Sequence, residues 1–334
     1  MPSFRPELAA LAAWALVSPC VAAAQPPLRL PLQCSPGGDC WIANHVDLQA
    51  GEGVRDYACG ALSYNGHDGT DFAVRDLEAM RAGVAVLAAA AGVVRGGRDG
   101  MPDAGVRDAG RESVRGRGCG NGMRLDHGEG WETQYCHLRR GSVTVRRGER
   151  VGAGQPLGLV GMSGLAEYPH LHFTVRYQGK PVDPFRGIGG GAACGAGERP
   201  LWDSAVLALV PYSPGAVYNY GIASSVPRAA EVREGRHRER RLPRDAAGLV
   251  VWLEIFGVAA GDVLSVSVAD PAGRALIEHR ASFERRQARV FRAVGRKRGA
   301  GHWPAGTYVA EIALLRPANA ASRPPVHRLS FEVR

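Results

Sequence analysis

Apolar residues in this chain mostly alternate with polar ones, a period of two that predicts strands rather than helices. "GVAVLAAAAGVVRGG" predicts two short strands near residues 85–88 and 92–95. "NGMRLDHGEGWETQYCHL" predicts a hairpin around the turn "DHGEG". "VTVRRGERVGAGQPLGLVGMSG" predicts further short strands and turns. "LHFTVRYQGKPVDPF" predicts a strand, a turn at Gln178-Gly179-Lys180 and a proline-marked exit. Helix signals are few. Residues 25–60 are irregular, 61–190 form a mainly β domain, and 191–200 form a glycine-rich linker. Over 201–334, "GLVVWLEIFGVAAGDVLSVSVADPAGRAL" and later stretches alternate again and predict a β-sandwich. The expected fold class is mainly β, with a compact antiparallel β domain followed by the sandwich.

Two stretches interrupt this pattern. Residues 95–118 are charged, rich in glycine and almost free of large apolar groups. Their Asp99, Asp103 and Asp108 lack the spacing of a calcium loop, so they read as an insertion on the solvated surface. The basic run "VREGRHRERRLPRD" likewise reads as a solvated loop.

Composition narrows the picture. The chain has 334 residues, is 45% hydrophobic and carries a net charge of +9. No nucleic-acid motif accompanies the charge, so nucleic acid is not an expected partner. No apolar run after residue 24 is long enough to span a bilayer. Arg5, an apolar core and "VAAAQ" predict a signal peptide over 1–24, cleaved before Gln25. Export to the periplasm or beyond follows, and export favours disulfides. Six of the seven cysteines remain after cleavage, with fifteen ways to pair them. Cys34 and Cys40 bracket a tight loop. Cys119 and Cys136 flank the hairpin and are expected opposite each other across it. Cys59 and Cys194 pair by elimination.

Candidate chemistry begins at "EYPHLHFTVR". On a strand, His170 and His172 share one face, and two imidazoles on a buried face call for partners. "YNGHDGTDFAV" places His67 and Asp71 four residues apart, and "TQYCHL" carries His137, expected on one face with Thr133 and Tyr135. Two imidazoles and a carboxylate make a three-ligand metal site that leaves a position for water.

"GHDGTDFA", "YCHL" and "PHLHF", in this order over about residues 61–186, resemble the motifs of the lysostaphin/LytM-like zinc endopeptidases, as does the glycine-rich segment before "PHLHF". The resemblance implies a compact antiparallel β fold with an open groove, and hydrolysis of peptide bonds in peptidoglycan stems or cross-bridges. It implies one zinc per chain held by His67, Asp71 and His172, with His137 and His170 as catalytic histidines beside it. Alternatives are a zinc peptidase of the same fold acting on proteins, and a non-catalytic cell-wall regulator of other hydrolases. His127 reads as a turn residue, and His45, His237, His279, His302 and His327 fall outside the motifs. The resemblance does not extend to the sandwich, for which a glycan or protein partner is one expectation.

Overall fold

The computed structural model describes residues 25–191, 193–317 and 325–334. The expected signal peptide lies outside the described residues. Among them, no helix is long and apolar enough to cross a membrane. The first unit contains β1 (Cys40–Asn44), β2 (Thr70–Val74), β3 (Ala85–Leu87), β4 (Gly92–Arg98), β5 (Asn121–Gly128), β6 (Trp131–Leu138), β7 (Arg150–Val151), β8 (Pro156–Leu159), β9 (His170–Tyr177) and β10 (Lys180–Val182). Seven of these make one antiparallel path, β1-β2-β9-β6-β5-β4-β7. β10 extends it beside β9, and β3 pairs with β8. The hairpin, the His170 strand and the turn at 178–180 appear where the alternation predicted them.

Directly paired antiparallel residues project to the same face. Thr70 pairs with Phe173, and Phe173 with Tyr135, so this row faces the core. Asp71 pairs with His172, and His172 with Cys136, so the next row faces away from it. The core face is apolar, with Phe72, Leu125, Tyr135, Leu171 and Phe173 almost fully buried. Residues 25–60 are more than an extension. Leu28 and Leu32 join this core, and β1 forms the edge of the sheet.

The second unit contains β11 (Ala216–Ala223), β12 (Arg241–Leu242), β13 (Gly248–Val258), β14 (Val263–Ala269), β15 (Ala275–Ser282), β16 (Gln287–Lys297), β17 (Gly306–Leu315) and β18 (Val326–Val333). Sheets β11-β13-β16 and β12-β18-β17-β14-β15 enclose one core that draws Leu253 and Ile255 from one side and Val266, Tyr308 and Phe331 from the other. This is the expected sandwich.

Several local expectations need correction. The helix Ser204–Leu209, counted with the second unit from sequence, belongs by packing to the first. Its Val206, with Leu201, Trp202 and Val210, lies in the first core. Trp202 sits 5.6 Å from Phe173 and 6.0 Å from Phe72 between ring centroids. These two packing partners of Trp202 lie 29 and 130 residues upstream, so alternation gave no sign of them.

The 95–118 insertion is not merely solvated. β4 runs on to Arg98, and a short helix (Val106–Ala109) and a 3-10 turn (Arg111–Val114) follow, burying Val106 and Val114. Asp99 accepts from the backbone N–H groups of Gly141 (2.7 Å) and Val143 (3.2 Å), and Asp103 from those of Met162 (2.9 Å) and Arg140 (3.0 Å). These carboxylates therefore pin the insertion to the body of the domain. The basic run near 232–245 is also no free loop. Val232 is fully buried, Arg233 bonds the buried Glu254, and Arg238 pairs with Asp76 of the first unit.

All three expected disulfides form. The route to Cys119–Cys136 differs from the expected one. Asn121 pairs with Leu138 and Met123 with Tyr135, so Cys119 precedes the strand and has no partner in the ladder. A turn with Gly120 at φ 67° folds it back, and the His137 N–H bonds the Cys119 carbonyl at 2.8 Å.

Candidate functional site

The row of the sheet that faces away from the core brings Asp71 and His172 together, and the preceding loop delivers His67. His67 Nε2, Asp71 Oδ1 and His172 Nδ1 form a triangle with sides of 3.1, 3.1 and 2.9 Å. Gly69 lets this loop close. A side chain there would meet the His172 ring and the Phe173 carbonyl at 2.8 Å.

Hydrogen bonds around the triangle set which ring atom faces inward. His67 Nδ1 lies 2.7 Å from the carbonyl of His45, which can only accept, so Nδ1 carries the proton and Nε2 offers its lone pair to the centre. His172 Nε2 lies 3.1 Å from Asp68 Oδ1 and 3.0 Å from Thr174 Oγ1, which leaves Nδ1 for the centre. Asp68 is held in turn by Arg176. Asn44 donates to Asp71 Oδ2 at 2.9 Å and to the Tyr168 hydroxyl at 3.1 Å, freeing Asp71 Oδ1.

Electrostatics favour a cation at this point. Burial opposes charge on His172, yet the hydrogen bonds to Asp68 and Asp71 outweigh it and push the imidazole up to about 9. Burial also opposes charge on Asp71, but His67, His170 and His172 hold its carboxyl well below the usual range. A metal ion satisfies the same three atoms. Tetrahedral ligands at about 2.0–2.1 Å from a centre lie roughly 3.3 Å apart, close to the observed sides. His67, Asp71 and His172 are one of two groups among the described residues whose ligand atoms converge tightly enough for a metal, and the other contains the bridged Cys34 and Cys40.

His137 and His170 flank the triangle. Their ring centroids are 4.6 Å apart, and His137 lies 5.9 Å from His172. His170 Nδ1 donates to the Tyr168 carbonyl at 2.8 Å and His137 Nδ1 to the Ser163 carbonyl at 2.7 Å, so each turns Nε2 away from its anchor. Burial, then the neighbouring imidazoles, holds His137 well below its ordinary value. Burial also lowers His170, against the pull of Asp71.

The expected shared face of Thr133, Tyr135 and His137 does not hold. In a regular strand it would turn His137 to the core with Tyr135. His137 instead adopts φ 64°, at a register shift between Asn121 and Met123 on the paired strand. The bulge swings its ring onto the face of His170 and His172.

All five residues singled out from sequence thus converge. Asp68, Asn44, Tyr168, Thr174 and Arg176, and the carbonyl of His45, were not singled out. Thr174 and Arg176 could have been found, because they continue the period-two row of His170 and His172. Asn44 and His45 carry no local signal. His127 bonds the Ala91 carbonyl and Thr133 Oγ1 away from the triangle, which is a structural role.

The profile of Peptidase family M23 matches residues 65–184, which contain all five side chains. The chain is 36% identical over 67 residues to the peptidoglycan DD-endopeptidase ShyA of Vibrio cholerae, covering 20% of this chain and 15% of that protein. It is 41% identical over 71 residues to the cell division protein DipM of Caulobacter vibrioides, covering 20% and 11%. It is 39% identical over 67 residues to the DD-carboxypeptidase/endopeptidase Mpg of Neisseria meningitidis, covering 20% and 15%. The chain therefore spans only a small part of the length of these curated relatives. Among solved structures, the catalytic domain of lysostaphin from Staphylococcus simulans is 22% identical, covers 44% of this chain and 90% of that one, and has a TM-score of 0.29. Residues 65–184 of this chain are a domain of peptidase family M23.

Proposed function

We propose that this protein is an exported zinc endopeptidase that hydrolyses peptide bonds in peptidoglycan stems or cross-links. The observation that carries the reading is the triangle of His67 Nε2, Asp71 Oδ1 and His172 Nδ1 with two further histidines beside it. The relative named a peptidoglycan DD-endopeptidase supports the substrate class. His67, Asp71 and His172 would hold one zinc ion. Bound there, zinc supplies Lewis-acid polarisation and an acidified water at neutral pH.

The side chains do the rest. Asp68 and the His45 carbonyl hold the two ligand imidazoles in one tautomer and one orientation. His137 and His170 are neutral near pH 7, since both are held below their ordinary values. With Nδ1–H committed to a carbonyl, each has only Nε2 for exchange. That atom can take a proton from the attacking water and return it to the leaving amine, or donate to the developing oxyanion once protonated. The net charge of +9 would draw an acidic polymer towards the protein.

Isolated cell-wall sacculi incubated with the purified protein should release soluble peptide-bearing fragments. A chelator should abolish the release, and zinc should restore it. Intact sacculi alongside cleavage of a glycine-rich protein would mark a protein peptidase instead. Cleavage of neither, with zinc bound, would mark a regulator.

A further inference from the structure

Strands β15 and β16 are consecutive in the chain but lie at the edges of different sheets. The segment from Ala275 to Arg298 that contains them carries eight Lys and Arg against two Glu, Glu278 and Glu284, and so holds six of the nine net positive charges. Among the described residues only one of the eight, Arg289, pairs with a carboxylate, Glu254 at 3.1 Å. The other seven cations are exposed. Arg292 lies over the Phe283 ring at 5.2 Å, and Arg296 donates to the Leu276 carbonyl of β15 at 3.4 Å. Their stems thus close the open side of the sandwich while their charges stay in solvent. A carbonyl satisfies an N–H of a guanidinium without cancelling its charge. Carboxylates beside the segment are already engaged, Glu254 also by Arg233, Asp262 by Arg316 and Asp270 by Arg274.

One end of this basic strip abuts the His67–Asp71–His172 triangle. Arg286, in the turn before β16, donates to the Ser63 carbonyl at 3.1 Å, in the loop leading to His67. Arg289 lies 5.7 Å from the centre of the Tyr168 ring, which lies 4.7 Å from that of His170. From Arg289, β16 runs outwards to Lys297 over about 27 Å and carries Arg292 and Arg296 on the way. Charged side chains commonly guard an edge strand against pairing, but a guard needs few charges, of either sign. A row of exposed charges of one sign repels itself and favours a partner that supplies anions at intervals. A small anion would leave most of the row unmatched, whereas a linear polymer can match it along its length. Arginine forks suit carboxylates on such a polymer.

We propose that this strip is a docking track for a linear carboxylate-bearing polymer, held along the sandwich with one part at the triangle. Continuity with the triangle favours the polymer whose peptides the triangle would cleave, a cell-wall strand with acidic stem peptides, so the identity of the polymer rests on the peptidase reading. The track gives the sandwich a role in holding substrate, carried by residues outside all of the peptidase motifs.

The test is sedimentation of the full chain with isolated sacculi at low ionic strength in the presence of chelator. Cleavage then plays no part, and failure of the peptidase reading is scored separately by the release assay with zinc. The wild-type chain should pellet with sacculi, and high salt should free it. Sacculi whose carboxylates have been converted to amides should hold it more weakly by roughly tenfold or more. The triple variant Arg292→Gln, Arg296→Gln, Lys297→Gln should lose roughly tenfold or more in affinity for native sacculi. A control triple, Arg146→Gln, Arg147→Gln, Arg150→Gln, removes the same charge from exposed positions of the first unit and should lose much less. If the first triple fails to fold, the pair Arg285→Gln and Lys297→Gln, both exposed, takes its place against Arg146→Gln and Arg147→Gln. Anionic phospholipid vesicles and duplex DNA test phosphate-bearing partners. The proposal is overturned if native sacculi fail to retain the wild-type chain, if vesicles or DNA bind it more tightly than sacculi do, if amidation changes nothing, or if strip and control variants weaken retention equally.

Discussion

His170 and His172 share a strand face yet have different surroundings, and the difference is testable one residue at a time. His172 Nδ1 faces Asp71 and His67, whereas His170 Nδ1 is committed to a carbonyl. His172→Ala should lose the metal, as measured by elemental analysis. His170→Ala should keep it, with turnover of sacculi falling about 10²- to 10⁴-fold, the usual contribution of a proton-transferring group. Equal metal loss in both variants would overturn the division of roles. Asp68 provides the second test. It touches no candidate ligand position itself but orients His172, and such partners are commonly worth about 10–100-fold in metal affinity. Asp68→Ala should weaken zinc binding by that order in a competition titration with a chelating dye. An unchanged affinity would mean that Thr174 alone fixes the His172 ring.

At the scale of elements, the insertion at 95–118 and the segment 161–168 act as one layer. Asp103 holds the N–H of Met162, Val106 bonds the Ala166 carbonyl at 2.8 Å, and Arg107 pairs with Glu167. Segment 161–168 supplies the carbonyls that orient both flanking histidines, Ser163 for His137 and Tyr168 for His170. Replacing residues 102–112 with a short Gly-Ser linker should leave zinc content unchanged, because no triangle residue is touched. Turnover should fall roughly ten- to a hundredfold, since small misplacements of catalytic groups have effects of that order. A linker variant that digests sacculi at the wild-type rate would reduce the insertion to a surface feature.

For the whole molecule, the two units are joined through shared packing. Trp41 and Leu62 of the first form one apolar cluster with Tyr218 and Phe256 of the second. Arg286 donates to the carbonyl of Ser63 at 3.1 Å, in the loop leading to His67. Arg289 lies 5.7 Å from the centre of the Tyr168 ring, beside His170. The sandwich therefore braces both sides of the His67–Asp71–His172 triangle. From sequence alone, removal of residues 201–334 should spare the metal site, because every motif residue precedes it. The packing leads to the opposite expectation. Loss of Trp202, Val206 and Val210 opens the first core, and a chain ending at 200 should fail to give a cooperative thermal transition. Trp202→Ala in the full chain isolates this effect and should cost about 3–5 kcal/mol in denaturant unfolding. A soluble, zinc-binding 1–200 fragment with a sharp transition would refute it.

What the sequence determined by itself was local or short-period. Alternation marked the strands at Asn121–Gly128, Trp131–Leu138 and His170–Tyr177. The motifs holding His67, Asp71, His137, His170 and His172 marked the five side chains that the fold brings together, because few side-chain types suit metal binding and proton transfer and they leave a compact signature. What only the tertiary structure decided depended on contacts between distant segments. The face of His137 turned on a single positive φ at a bulge, where a period-two rule has no purchase. Asn44 reached Asp71 because β1 pairs with β2 across 27 residues of chain. The role of Asp103 became visible only once its backbone partners were in place. Trp202 looked like the start of the next domain, yet it completes the first. An apolar side chain shows in sequence that it will be buried, but not which core will bury it, because hydrophobic attraction is non-directional and its partners are set by the topology.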